Sequence, residues 1–380
     1  MRIWLFNPPA DEISMHALQN AGIGTIVTSG KAVDSALSKT FTTYAMVHVF
    51  QSTGQTEDLA TDICGQPIQW FSSGCPNSPT IRGNFYAQMK QLLSQPIQGV
   101  FLDGARFSSP DSSTTKSSFF SCFCPRCRAD MIDRGYDVKT IIRDVEAVAQ
   151  MLCSSQLTRQ WLKALYSPSG WMSLQAAYPG LADWLNYRVG SITDFVQELS
   201  IWAKNSFPSK KLAAFLFQPC LAYFVGQDYR RLSPHLEIVS PMIYRNYQHK
   251  PGPATINQES TTAARFVHET SGLPFAECFQ DLLQIFGLEV DGDIPQGPEE
   301  TVGMSITHVV GETLAAAALA GSLDKVAPII WAGDPELRQT LAGLKEIGVQ
   351  NCILFTHEAG LATHGDRFLE LCNQAQLPSS

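Results

Sequence analysis

The sequence predicts a (β/α)8 barrel, a TIM barrel, with long insertions after its fourth and sixth strands. Three observations point there. Eight short apolar runs rich in β-branched and aromatic residues recur along the chain. Helical stretches lie between them, the alternation that builds a parallel sheet. The length, 380 residues, suits one barrel with insertions.

The first run is Arg2–Phe6 and the second Gly24–Thr28, with a helical segment around Ile13–Ala21 between them. The third is Thr43–Phe50. The fourth, Gly99–Asp103, follows the amphipathic stretch Ile81–Leu93. The fifth, Leu212–Phe217, follows the long helical stretch Leu181–Lys204, and the sixth is Ile238–Tyr244. The seventh, Val326–Trp331, comes after Thr301–Leu319, and the eighth, Asn351–Thr356, after Pro335–Ile347. Segment Leu273–Phe279 reads as an extra strand or as an alternative seventh. The connections spanning about 104–179 and 245–300 are far too long for simple βα loops. Both follow strands, which places them on the C-terminal face where barrel enzymes build their sites. The first contains its own helical stretch, Val138–Leu152, and a Ser/Pro-rich segment, Ser108–Ser118. With no internal repeat and no linker, 1–380 reads as a single domain.

Hydrophobic residues make up 44% of the chain, enough for a large core, while charged residues are only 16%. The surface must therefore lean on uncharged polar side chains. The net charge of −8 repels phosphate backbones and anionic lipid surfaces, so neither nucleic acid nor a membrane is an expected partner. The apolar run at Ile3–Phe6 is too short for a signal peptide and is ended by Pro8 and Pro9. The expectation is a cytoplasmic protein whose ten cysteines are thiols or metal ligands rather than disulfides.

The most informative stretch is Gly99-Val100-Phe101-Leu102-Asp103-Gly104-Ala105-Arg106-Phe107. An apolar strand ends in an acid, which would project from the rim of the barrel mouth. Hydrolysis of a glycosidic bond needs a carboxylate there, as nucleophile or base facing an oxocarbenium-like transition state. Arg106 would keep that carboxylate ionised or grip a substrate hydroxyl. The plainer alternative is an Asp capping the next turn. This stretch resembles the Asp-Gly-Ile-Arg-Phe/Tyr segment of bacterial barrel proteins classed as glycosyl hydrolases. The likeness continues in Trp184-Leu185-Asn186-Tyr187-Arg188, Val225-Gly226-Gln227-Asp228-Tyr229 and Ser240-Pro241-Met242-Ile243-Tyr244. It covers roughly Cys75 to Tyr244, and the last two strands more weakly. One departure stands out: no Asn-Glu pair ends the fourth strand.

A second motif is Cys122-Phe123-Cys124-Pro125-Arg126-Cys127, with Cys75 as a remote fourth thiol. Four soft ligands suit a tetrahedral zinc. The arrangement resembles the structural zinc cluster of family 42 β-galactosidases, where a Cys-rich run also lies in the insertion after the fourth strand. Such a zinc would pin a loop and leave no position open for water. Ordinary thiols are the alternative.

A two-carboxylate mechanism needs a second acid. Asp228, in the loop after strand five, and Glu277 are the leading choices. Asp334 and Glu358, just past the last two strands, are others, although Asp334 before Pro335 also reads as a helix cap. Gln218 and Tyr244 end strands five and six and can bond sugar hydroxyls. Trp331, Tyr247 and Trp70 offer faces for sugar stacking, with core packing the commoner role for each. Asp334, Glu358 and Arg106 complete the expected substrate-binding set. His48 and His357 read as buried structural histidines, and Glu312 in an Ala-rich helix as a solvent-facing acid. No Gly-x-Gly-x-x-Gly after a strand, Walker A, Gly-x-Ser-x-Gly or His-Glu-x-x-His is present, so no cofactor is expected for catalysis.

The resulting expectation is a glycosidase-like barrel that hydrolyses or transfers a glycosidic bond, with Asp103 as nucleophile or base and a structural zinc at most. Its partners would be an oligosaccharide or glycoside and, in a homo-oligomer, further copies of itself. The rivals are a carbohydrate-binding barrel without catalysis, and a barrel enzyme of other chemistry, a lyase or metal-assisted hydrolase.

Overall fold

In the computed structural model, residues 1–8, 10–29, 33–109, 118–247, 256–300 and 302–355 are described. Eight parallel strands close into a barrel. They are β1 (Arg2–Phe6), β2 (Thr25–Ser29), β3 (Thr42–His48), β4 (Gly99–Asp103), β5 (Lys211–Phe217), β6 (Ile238–Met242), β7 (Ile329–Trp331) and β8 (Asn351–Phe355). Each pairs with its sequence neighbours, and β8 returns to β1 in register from Arg2–Asn351 to Phe6–Phe355. All eight strands fall where the alternation of apolar runs put them.

The helices are α1 (Glu12–Asn20), α2 (Ser35–Thr40), α3 (Pro79–Leu93), α4 (Pro125–Asp133), α5 (Val138–Met151), α6 (Ser155–Ala164), α7 (Pro168–Ala177), α8 (Pro179–Ser206), α9 (Pro219–Ala222), α10 (Tyr229–Leu232), α11 (Ile256–Ser271), α12 (Phe275–Phe286), α13 (Ile306–Ala320) and α14 (Leu337–Glu346). Many begin at an Asp or Ser cap: Asp11, Asp34, Ser78, Asp137, Ser154, Ser167 and Ser305 each accept a hydrogen bond from an amide of the first turn. The insertion after β4 holds α4 to α7, and the one after β6 holds α11 and α12. Segment Leu273–Phe279, read above as a strand, starts α12 instead. Phe275, Cys278, Phe279, Leu282 and Leu283 are buried at helical spacing, and Pro274 sits at its N-cap. No described helix is long and apolar enough to cross a membrane.

Alternation along the strands decides what the barrel contains. Trp4, Phe6, Tyr44, Phe101, Phe215, Phe217, Ile329 and Ile353 belong to one core. Their neighbours Ile3, Leu5, Ile26, Ile330, Cys352 and Leu354 belong to another, under α1, α2 and α14. Inside, Phe101 stacks on Phe215 at 4.6 Å between centroids, and Trp4 on Tyr44 at 5.4 Å. This aromatic layer plugs the barrel below its mouth. β4 enters it on Gly99, where a Cβ would run into the Lys211 carbonyl of β5.

The WLNYR segment of α8 anchors the first insertion. Trp184 Nε1 donates to the Ser121 carbonyl at 3.1 Å. Arg188, wholly buried, donates to the Ser108 carbonyl at 2.8 Å and lies over the rings of Trp184, Phe107 and Phe119. Burial, then the nearby Arg106 guanidinium, push its pKa down. Across the barrel, buried Arg245 gathers three segments. Its Nε lies 2.7 Å from Asp334, and its two terminal nitrogens bond Asp291 and Glu336. Burial works against the Arg245 charge, but these acids outweigh it and raise the pKa.

Candidate active site at the barrel mouth

Asp103 shares the inward face of β4 with Phe101, two residues below, so its carboxylate points into the mouth. Its register partner across the β3–β4 pair is His48, the last residue of β3. His48 Nδ1 lies 3.7 Å from Asp103 Oδ2, and both side chains are partly open to solvent. The other ring nitrogen meets the hydroxyl of buried Ser73 at 2.8 Å, which fixes the imidazole plane. Among the strand residues of the barrel, Asp103 is the one carboxylate. Around it the strand ends contribute Phe6, Phe217, Trp331 and Phe355, and Tyr244 and Tyr247 close over them. Tyr244 is near enough that its pKa is raised, first by burial and then by the Asp103 charge.

Gly104 makes the turn that leaves Asp103 at the rim. Its φ is +70°, and a Cβ there would lie 2.7 Å from His48 Cε1. Gly104→Ala is expected to destabilise the chain by about 1–2 kcal/mol, the cost of the left-handed conformation for an L-residue, with the His48 ring displaced as well. A denaturant midpoint equal to wild type would contradict this reading of the turn.

The remaining residues proposed from the sequence are scattered. Arg106 is buried, donates to the Phe107 carbonyl at 2.9 Å and lies over the rings of Phe217 (4.7 Å) and Phe71 (5.6 Å). Gln218, immediately after β5, is fully buried, and neither its amide nitrogen nor its oxygen has a hydrogen-bond partner among the described residues. Such an orphaned amide is uncommon in a folded interior. Asp228 caps α10 by accepting from the Arg230 amide at 2.9 Å, and its charge reaches Tyr223. Glu277 lies on α12 in a two-pronged pair with Arg159, at 2.6 and 3.0 Å, which lowers its pKa. Asp334 is held by Arg245 and caps the turn before α14, accepting from the Glu336 amide at 3.1 Å. Glu358 and His357 lie outside the described residues.

Two features were not read from the sequence. Glu259 of α11 is buried and accepts a hydrogen bond from Ser109, six residues past Asp103, at 2.9 Å. It borders an apolar cavity of about 170 Å³ walled by Phe119, Phe120, Phe217 and Phe266. Beside His48 opens a polar cleft of about 440 Å³, lined by the amides of Gln51, Asn84, Gln88 and Gln91. Glu312, expected to face solvent, is instead buried, because the Ala-rich α13 packs that side against α9 and α10.

The four thiols do converge. Cys75 Sγ lies 3.7 Å from Cys124, 3.5 Å from Cys127 and 3.8 Å from Cys122, and all four residues are buried. Sulfurs at the corners of a zinc–thiolate tetrahedron, with bonds near 2.3 Å, stand about 3.8 Å apart, so the donors fit that ion. Hydrogen bonds from Cys122, Cys127 and Cys75 lower the Cys124 pKa, while burial pushes the Cys122 thiol up. The Thr61 amide and the Asn77 side chain point N–H groups at Cys122 and Cys127. The cluster joins the loop after β3 to the start of the insertion after β4.

No family model matches the chain, and no curated protein matches it. Solved structures do. A β-galactosidase from the Antarctic haloarchaeon Halorubrum lacusprofundi aligns at 11% identity and a TM-score of 0.48, over 99% of this chain and 57% of its own. A β-galactosidase from the psychrophilic Marinomonas ef1 aligns at 10% and 0.46, over 99% and 59%. Bee venom hyaluronidase aligns at 10% and 0.42, over 99% of both chains. This chain thus spans a little over half the length of the two β-galactosidases. The barrel assignment stands on its own closed strand order, and no residue role is carried over from these proteins.

Proposed function

We propose that the chain acts on a glycosidic bond at the barrel mouth, with Asp103 as nucleophile or base. The observation that carries this reading is Asp103 itself: the one carboxylate supplied by the strands, in register with His48 and surrounded by aromatic rings. A carboxylate there would stabilise a developing oxocarbenium ion, and the partly exposed rings of Trp331 and Phe355 would receive sugar faces. The amide-lined cleft beside His48 suits a ligand rich in hydroxyls. Of the acids offered by the sequence as proton donor, Glu277 and Asp334 are in ion pairs, Asp228 caps α10, and Glu358 lies outside the described residues. A screen of nitrophenyl glycosides and oligosaccharides tests the reading, and a complete lack of turnover would defeat it.

One observation favours the carbohydrate-binding alternative. Glu277 and Asp334 are already engaged by arginines, which leaves Asp103 short of a partner acid. In that case the same screen returns binding without hydrolysis.

Gln218 supplies a separate check. Gln218→Met removes two unpartnered buried polar groups at similar volume. Stability should rise by about 1 kcal/mol or more, since each such group costs roughly 1–3 kcal/mol. If its amide meets a substrate hydroxyl, KM should rise as well. A drop in stability would mean that the amide is satisfied in the folded chain.

We further propose a structural zinc on Cys75, Cys122, Cys124 and Cys127. Their convergence and spacing support it, and the ion's part would be to hold two mouth loops together, away from the reacting bond.

A further inference from the structure

A second group of metal-binding side chains lies outside both sites. Cys220 is the second residue of α9, two residues after Gln218, and His308 and Glu312 are four residues apart on one face of α13. One ligand atom from each lies within 4.8 Å of the other two. His308 and Glu312 are 7% and 8% exposed.

Each member of this group lacks something. His308 Nε2 is buried with no hydrogen-bond partner. Among the described residues Glu312 has no cationic partner; its hydrogen bonds come from Cys220, the backbone amide to Oε2 at 3.1 Å and the thiol. A buried carboxylate without a counter-charge is unfavourable unless it is protonated or meets a cation. The Cys220 thiol lies against that carboxylate, and burial pushes its pKa up, which argues against a nucleophilic role.

We propose that Cys220, His308 and Glu312 form a second binding site for a divalent transition-metal ion of the zinc class. Thiolate, imidazole and carboxylate are all zinc ligands, with bonds of about 2.0–2.3 Å. Tetrahedral ligands at such distances stand about 3.3–3.8 Å apart, so a small inward movement of the three side chains closes the site. The backbone amide of Cys220 holds Oε2 of Glu312 in place and leaves the second oxygen for the metal. Binding displaces the thiol proton to solvent and gives the carboxylate its missing counter-charge. The ion ties the segment carrying Gln218 to the first turns of α13. With three protein ligands, a fourth position stays open, unlike the four-cysteine cluster.

Metal content separates the two sites. The full-length chain is stripped with a chelator under reducing conditions, dialysed to equilibrium against zinc, and assayed for bound zinc per chain. Wild type is expected to hold two equivalents. Glu312→Gln, which keeps the shape and the amide hydrogen bond, should hold one, as should Cys220→Ser and His308→Ala. Cys127→Ser should lose the other equivalent and keep this one. Circular dichroism confirms that each variant is folded. Unchanged zinc content in folded Glu312→Gln and His308→Ala overturns the proposal, as does a wild-type chain whose bound zinc vanishes entirely in Cys127→Ser. In Cys127→Ser, cobalt in place of zinc should give a tetrahedral spectrum with a thiolate charge-transfer band, lost on adding Cys220→Ser. Absence of that band also refutes the site.

Discussion

Asp103→Asn is expected to abolish turnover while leaving the barrel intact. The change is nearly isosteric and removes only the charge. An amide can neither attack an anomeric carbon nor draw a proton from water. A loss of about 10³-fold or more in kcat is expected, roughly 4 kcal/mol of transition-state stabilisation. KM should move little, because the aromatic ring of the mouth and the amide-lined cleft are untouched. Stability should stay within about 0.5 kcal/mol, since the side chain is 34% exposed and the aromatic layer below it carries the packing. If Asp103 served only to cap its turn, the outcome would reverse, with a lower melting temperature and unchanged activity per folded molecule. Full activity of folded Asp103→Asn would remove the catalytic assignment.

Cys127→Ser should give the largest loss of stability. The sulfur is buried, in contact with Cys75 at 3.5 Å and approached by the Asn77 amide. Without it the tetrahedron loses a corner, and three buried thiols and a hydroxyl remain. Zinc present at a thousand times its Kd stabilises the folded chain by about 4 kcal/mol, so losing it should lower Tm by roughly 5 °C. The chain should lose one equivalent of zinc, and chelation of the wild type should reproduce the fall. Zinc content equal to wild type in the variant would show that this cluster holds no metal.

The strands were legible because each is a short apolar run with its own period, and Asp103 because an acid breaks such a run at its end. The cysteines were legible from spacing along the chain. The roles of Glu277 and Asp334 were not. Their arginines lie 118 and 89 residues away, and nothing local marks a long-range ion pair. The strand expected at Leu273–Phe279 failed because seven residues show an apolar run, whereas the helical period emerges only over the full length of α12. Glu312 was misplaced for a related reason. An alanine-rich helix has little amphipathic contrast, so its buried side is set by α9 and α10, which pack against it.

The Arg245 cluster bears on how the molecule breathes. One buried guanidinium is shared by the segment leaving β6, by Asp291 on a two-residue ribbon with Met304, and by the start of α14. Asp291 is half-exposed and can leave, but the segment leaving β6 and the start of α14 cannot part without stranding the buried Arg245–Asp334 pair, which is strongly unfavourable. These two should therefore open together as one cooperative unit in native-state hydrogen exchange, with a common protection factor, although they are distant in sequence. The first insertion is anchored through Arg188 and Trp184 and leans on the second through the Arg159–Glu277 pair, so α6 should open together with α12.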